Sequence, residues 1–308
     1  MTVWLLTDSA MDAHASSGHP DRPERRGAVA DGVRDGADDD VREVPCVTAT
    51  DEEILRVHDR DYLALLESMQ AGQGWLDADT YVVRESLAAA RLAAGATLQA
   101  ARAAASGDAE VAFAVVRPPG HHASAERGSG FCLINNVAVA VAALREAGLA
   151  TRIAIVDWDV HHGDGTQAIF EADPDLCYAS THQSPLFPGS GESSAAGHNR
   201  PLPPGSGDDA FVGAWRDELL PEVESFAPDA LLVSAGFDAH RDDPLANLEV
   251  TDAGFGEVAR LLGALSARSE LPGVALTLEG GYDLDAIRRS AAATVRGLLE
   301  GRRQVESR

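Results

Sequence analysis

The chain has 308 residues, 25 basic and 49 acidic, for a formal net charge of −24, and 45% of it is hydrophobic. This is globular composition with ample material for a core, and it excludes a disordered chain. No apolar run approaches the roughly 18–20 residues of a membrane span, and the acidic excess argues against direct nucleic-acid binding, because phosphate contacts need a basic patch.

Taken in chain order, 3–7 (VWLLT) reads as a strand whose apolar run stops at Leu6 before Asp8, so no secretory signal is expected. The stretch 83–106 is rich in Ala and Leu, contains no proline and reads as helix. Strand 111–116 and helix 133–147 follow, then strands 153–157 and 176–180, helix 209–225, strand 230–235, helix 252–268, strand 274–278 and helix 284–300. Between 184 and 207 the sequence is long, irregular and rich in Gly, Ser and Pro, which reads as a functional or rim loop. Near-continuous apolar strands separated by helices predict an α/β fold with a mostly parallel sheet covered on both faces. No repeat and no linker interrupts the pattern, so 1–308 reads as a single domain. Cys46, Cys132 and Cys177 form neither a C-x-x-C pair nor a disulfide framework, which predicts a reduced, cytoplasmic protein. Every basic residue is arginine; the charge imbalance reads as a surface adapted to high salt and permits attraction of cationic substrates.

Four unusual clusters each follow a strand: RPPGHH (117–122), DWDVHHGDG (157–165), GFDAHRDDP (236–244) and LEGGYD (278–283). Ligands of open α/β sheets bind at the carboxyl ends of the strands, so the four could converge on one site. If the chain stays extended after 153–157, Asp157, Asp159 and His161 share a face, and aspartate and neutral histidine are ligands for zinc-like metals. A catalytic zinc usually takes three protein ligands, and Asp238 supplies a third, its other reading being a helix N-cap. Such a set would also take ferrous iron or cobalt. His121 and His122, adjacent and behind two prolines, suggest acid–base work, with Asp157 and Asp164 as spare carboxylates to orient them. Tyr282, after two glycines, reads either as a ring packed at the sheet edge or as an oxyanion donor. The sequence lacks G-x-x-x-x-G-K-[ST], an early G-x-G-x-x-G and G-x-S-x-G, which argues against nucleotide-binding and serine-hydrolase readings.

Taken with GFCLINN (130–136), FPGSG (187–191) and HPDRPER (19–25), these clusters resemble the histone deacetylase superfamily, most closely its class II and bacterial or archaeal deacetylase-like branch. The likeness runs from about 14 to 300 with the motifs in family order. It implies a single three-layer α/β/α domain of the arginase/deacetylase type, acting as a zinc-dependent amidohydrolase that removes acetyl groups from N-ε-acetyl-lysine of proteins. By the resemblance, Asp159, His161 and Asp238 are the zinc ligands, His121 and His122 the tandem histidines with partners Asp157 and Asp164, and Tyr282 the catalytic tyrosine. It also implies a structural potassium ion on backbone oxygens of Asp157, Asp159 and His161 with the Ser180 hydroxyl. Phe131 and Phe187, with Gly130, would wall a narrow tunnel, and Arg25 would stand near the acetate-exit pocket. Asp164, an aspartate where many class II members have asparagine, is expected to favour a protonated ring on His122 or its neighbour.

The alternative is an acetylpolyamine or other small acetylated-amine amidohydrolase. Leu245 weakens it, since it occupies a loop position where a polyamine-selective relative has glutamate. A binuclear manganese ureohydrolase is discounted because Asp238-Ala239-His240 stands where two metals would prefer Asp-x-Asp. A non-catalytic binding protein would not need His121, His122 and Tyr282 together.

Overall fold

The computed structural model describes residues 2–37, 41–192 and 197–306. Among them ten strands form: β1 (Val3–Leu6), β2 (Val41–Val44), β3 (Gly74–Trp75), β4 (Tyr81–Val82), β5 (Val111–Ala114), β6 (Ile153–Asp157), β7 (Leu176–Gln183), β8 (Gly197–Leu202), β9 (Ala230–Ala235) and β10 (Val274–Leu278). Eight make one sheet in the order β2-β1-β5-β10-β9-β6-β7-β8, every neighbouring pair parallel. β3 and β4 form a separate antiparallel pair.

Strand alternation divides the core into two layers. Val111 and Phe113 pack with Leu5, Val156, Val233 and Leu276 on one face. Ala112 and Ala114 pack with Leu6, Ile155 and Leu232 on the other. The first face is covered by helices Glu24–Gly36, Asp252–Arg268 and Leu284–Glu306, through Val29, Val258, Leu262 and Val295. The second is covered by Ser86–Ser106 and Asn136–Glu146, whose Ala93, Ala96, Ala100, Val137 and Val141 allow a close approach to the sheet. This is the expected α/β/α sandwich. Each fully buried Leu, Val or Phe contributes about 1.5–3 kcal/mol relative to exposure.

Several elements differ from the sequence reading. β7 runs on to Gln183, and β8 occupies part of the stretch read as a rim loop; residues 193–196 of that stretch lie outside the described residues. β2 (VREV) is an edge strand with two exposed charged residues, so it has no apolar run to find. The helix Glu24–Gly36 was hidden by its charges and glycines. Gly32 and Gly36 lie against the backbone of Arg288 and Ala292, where any Cβ would overlap, so the glycines serve helix packing.

The site follows from the strand order. β5, β10, β9 and β6 are consecutive in the sheet and parallel, so their carboxyl ends lie side by side. Ala114, Thr277, Ser234, Asp157 and Ser180 form one register row across β5, β10, β9, β6 and β7. The four polar clusters begin at or just beyond that row.

Candidate metal and acid–base site

β6 ends at Asp157, and the chain then turns: the Asp159 N–H donates to Asp157 Oδ1 at 3.2 Å. The extended continuation expected from the sequence therefore does not form. The Asp157 carboxylate turns away to His121 and Tyr178, while Asp159 and His161 meet Asp238 from the end of β9. The ligand atoms of Asp159, His161 and Asp238 lie within 4.8 Å of one another, the one such group of three or more among the described residues. His161 Nδ1 is 3.1 Å from Asp159 Oδ1 and 3.2 Å from Asp238 Oδ2.

This trio fits a divalent cation. Asp159 and Asp238 are fully buried, and Asp238 Oδ2 accepts no well-aligned hydrogen bond. Asp159 Oδ2 accepts from the Gly280 N–H at 2.7 Å, and Asp238 Oδ1 accepts from the Val160 N–H at 2.9 Å. A Cβ at Gly236 or Gly280 would overlap these carboxylates, so both glycines are required by close approach. Burial and then Asp159 hold the Asp238 carboxyl above its usual range. Burial opposes charge on His161, but the Asp159 and Asp238 carboxylates beside its Nδ1 carry its pKa up to about 10. Two carboxylate oxygens and one imidazole nitrogen would hold the cation, a donor set suited to zinc, ferrous iron or cobalt. His240 does not join them: its Nε2 lies 3.0 Å from Asp252 Oδ1 and its Nδ1 accepts from the Asp242 N–H.

The two adjacent histidines are buried, and their surroundings shift their pKa values in opposite directions. His121 Nδ1 lies 3.1 Å from Asp157 Oδ2, the oxygen that also accepts from the Tyr178 hydroxyl at 2.9 Å. Burial opposes a proton on His121, but Asp159 and Asp157 raise its pKa well above the ordinary histidine value. His122 Nδ1 lies 2.7 Å from Asp164 Oδ1. Burial, with charge on His121, outweighs Asp164 and lowers the His122 pKa to about 4. Asp164 does raise the His122 pKa, but burial and His121 outweigh it; the ring whose pKa rises is His121, and Asp159 and Asp157 are the cause.

Tyr282 is buried at the end of the turn after β10, and burial keeps its phenol protonated. The guanidinium of Arg25 lies over its ring, 4.7 Å from the centroid, and donates to the carbonyls of Glu279 and Gly281. Arg25 is itself buried and paired with Asp21, which also takes Arg117 Nε at 2.9 Å. The Tyr282 N–H donates to Asp243 Oδ2 at 2.7 Å, and burial with nearby Asp238 pushes the Asp243 carboxyl up to about 7.

These groups open onto a cavity of about 580 Å³ lined by His121, His122, Asp159, His161 and Tyr282 together with Gly130, Phe131, Phe187 and Leu245. Phe131 packs edge-on to Tyr282 at 5.9 Å and Phe187 edge-on to His122 at 5.1 Å. Phe131 adopts φ 70 after Gly130 at φ 52. That backbone is unfavourable for a phenylalanine; it is held where Gly130 N–H donates to Asp77 Oδ2 and Phe131 N–H donates to Thr80 Oγ1. Phe187 and Leu245 are partly exposed at the rim. Ser180 pairs across the sheet with Asp157, and its hydroxyl lies 3.0 Å from His182 Nδ1.

The sequence reading missed Asp21, Asp77, Thr80, Tyr178, Asp243 and Glu279. Asp21, Asp243 and Glu279 stand inside quoted motifs; Asp77, Thr80 and Tyr178 are polar residues in or beside apolar segments, with no local pattern that marks them.

The histone deacetylase domain family matches residues 19–298. A probable deacetylase of Methanothermobacter thermautotrophicus is 41% identical over 305 residues, covering 96% of this chain and 90% of the relative. Histone deacetylase 15 of Arabidopsis thaliana is 38% identical over 310 residues, covering 96% of this chain, which spans only 55% of the plant protein. The crystal structure of the HDA15 HD domain matches with a TM-score of 0.88 at 34% identity, over 97% of this chain and 90% of that one. No helix among the described residues is long and apolar enough to cross a membrane. A family match over most of the chain, together with relatives of this identity and coverage, leads to one conclusion: the chain belongs to the histone deacetylase family.

Proposed function

We propose that the chain is a zinc-dependent amidohydrolase that removes acetyl groups from N-ε-acetyl-lysine side chains of proteins. One arrangement carries the reading: a trio suited to a dication, an unprotonated buried histidine and a buried phenol open onto the same cavity. Asp159, His161 and Asp238 would hold the cation, and when bound it supplies Lewis-acid polarisation of the acetamide carbonyl and a water of lowered pKa. His122 is unprotonated at neutral pH with Nδ1 held by Asp164, which leaves Nε2 to take the proton of the attacking water and return it to the departing amine. His121, oriented by Asp157, supplies positive charge beside it. The Tyr282 hydroxyl donates to the carbonyl oxygen as negative charge develops there, and one such donor is worth roughly 2.7–4 kcal/mol. Arg25 steadies the Tyr282 ring and its turn.

Phe131 and Phe187, with Gly130 between them and the histidines, would grip the four-carbon stem of acetyl-lysine, and Leu245 offers the rim no charge for a second ammonium. In this reading the Ser180 hydroxyl and backbone oxygens of Asp157, Asp159 and His161 hold a structural potassium ion, residues 1–308 act as one catalytic unit in the cytoplasm, and nucleic acid is not a direct partner. The test is a comparison of kcat/KM for zinc-loaded protein, at high salt, on acetyl-lysine peptides and acetylated polyamines. The reading expects the peptides to be preferred. Preference for polyamines would favour the small-amine alternative, and hydrolysis of neither would contradict both.

A further inference from the structure

We propose that Glu279 is a positioning residue that sets the depth of the tandem-histidine loop by accepting hydrogen bonds from its backbone. The inference rests on the amidohydrolase reading above. Glu279 is fully buried directly after β10. Its Oε2 accepts from the N–H groups of Gly120, at 2.7 Å, and His121, at 3.1 Å, while Oε1 accepts from the Ser234 hydroxyl at 3.1 Å. One carboxylate thereby joins β9, the turn after β10 and the loop after β5.

The turn that carries Glu279 is itself fixed at every residue. Arg25 donates to the carbonyls of Glu279 and Gly281, the Gly280 N–H donates to Asp159 Oδ2, and the Tyr282 N–H donates to Asp243 Oδ2. Glu279 therefore transmits a rigid frame, shared with Tyr282, to the segment that carries His121 and His122. Its side chain makes no contact with the cavity: the lining includes Gly280 and Tyr282 on this turn but not Glu279. Gly120 also lies against the backbone of Ile134 and Asn136, so the loop is closely packed at this point. Without an acceptor at this point, two buried N–H groups lose their partner and the loop must move to recover one.

Two substitutions separate reach from charge. In Glu279→Gln the amide oxygen can accept from Gly120 and His121 while the amide nitrogen donates to Ser234 Oγ. In Glu279→Asp the carboxyl group stays but is one methylene short of the loop. On zinc-loaded protein with an acetyl-lysine peptide, Glu279→Gln should keep kcat within about threefold of the parent. Glu279→Asp should lose tenfold or more in kcat, with KM within about twofold and the bound metal retained. Hydrogen exchange of the peptide spanning 117–123 should accelerate in the Asp variant and not in the Gln variant. The proposal is overturned if Glu279→Asp is as fast as the parent, if Glu279→Gln is as damaged as Glu279→Asp, or if exchange in the loop is the same in all three proteins. Should the parent hydrolyse no acetylated amine, the amidohydrolase reading fails, and the exchange comparison alone decides whether Glu279 holds the loop.

Discussion

His122 Nδ1 and Asp164 Oδ1 lie 2.7 Å apart, yet burial and the neighbouring His121 outweigh the carboxylate and lower the His122 pKa to about 4. Asp164 thus orients the ring and lends it basicity without charging it. Replacing Asp164 with asparagine should leave the ring oriented but weaken it as a base, since the charge that raises its pKa is gone. We expect Asp164→Asn to lower kcat about tenfold with KM and metal content unchanged, a fraction of the roughly 10²–10⁴-fold that general acid–base catalysis supplies, because the base itself remains. Steady-state kinetics with metal analysis checks this; an unchanged kcat would remove Asp164 from the chemistry.

Tyr282 and Asp238 should separate chemistry from metal holding. An interaction made only as charge develops affects turnover and leaves binding alone. Tyr282→Phe should keep fold and metal and lose roughly 10²–10³ in turnover. Asp238→Ala should lose the metal, and His122→Ala should lose turnover with the metal retained. If Tyr282→Phe turned over nearly as fast as the parent, its phenol would be a packing group only.

Asp21 links stability to pH. Burial disfavours its charge, but Arg117 and Arg25 hold its carboxyl well below the usual range. A depressed folded pKa gives stability that is complete above the unfolded value, about 3.9, and is lost as pH falls below it. Removing one partner of a buried ion pair costs about 3–5 kcal/mol, so Asp21→Asn should unfold more readily at pH 7 and show a shallower loss of stability between pH 5 and 2. Denaturant midpoints across that window test the sign; equal acid sensitivity in both proteins would contradict it.

The charge of −24 predicts salt-dependent stability. Self-repulsion is strong in dilute buffer and screened at high ionic strength. The unfolding midpoint should rise from dilute buffer to molar potassium chloride, and a flat or falling midpoint would reject the high-salt reading of the surface.

The inner strands were legible because they are buried on both faces and read as unbroken apolar runs: β6, β9 and β10 stand at the expected residues. The edge strands β2 and β8 were not, since pairing on one side leaves their residues partly polar. The site residues were legible where ionisable groups cluster just past a strand end, as at 157–164. Glu279 shows what local reading misses. It was visible as part of LEGGYD, but its partners Gly120, His121 and Ser234 are joined to it only by the order β5-β10-β9, which no local pattern of residues encodes.

The most direct test of the account is the amide-hydrolysis rate of chelator-stripped protein, with metal content verified by elemental analysis, before and after reloading with zinc. The stripped protein should not hydrolyse an acetyl-lysine peptide and should recover on addition of one equivalent of zinc, with cobalt or ferrous iron able to substitute. Full activity in protein shown to be metal-free would contradict the role given to Asp159, His161 and Asp238.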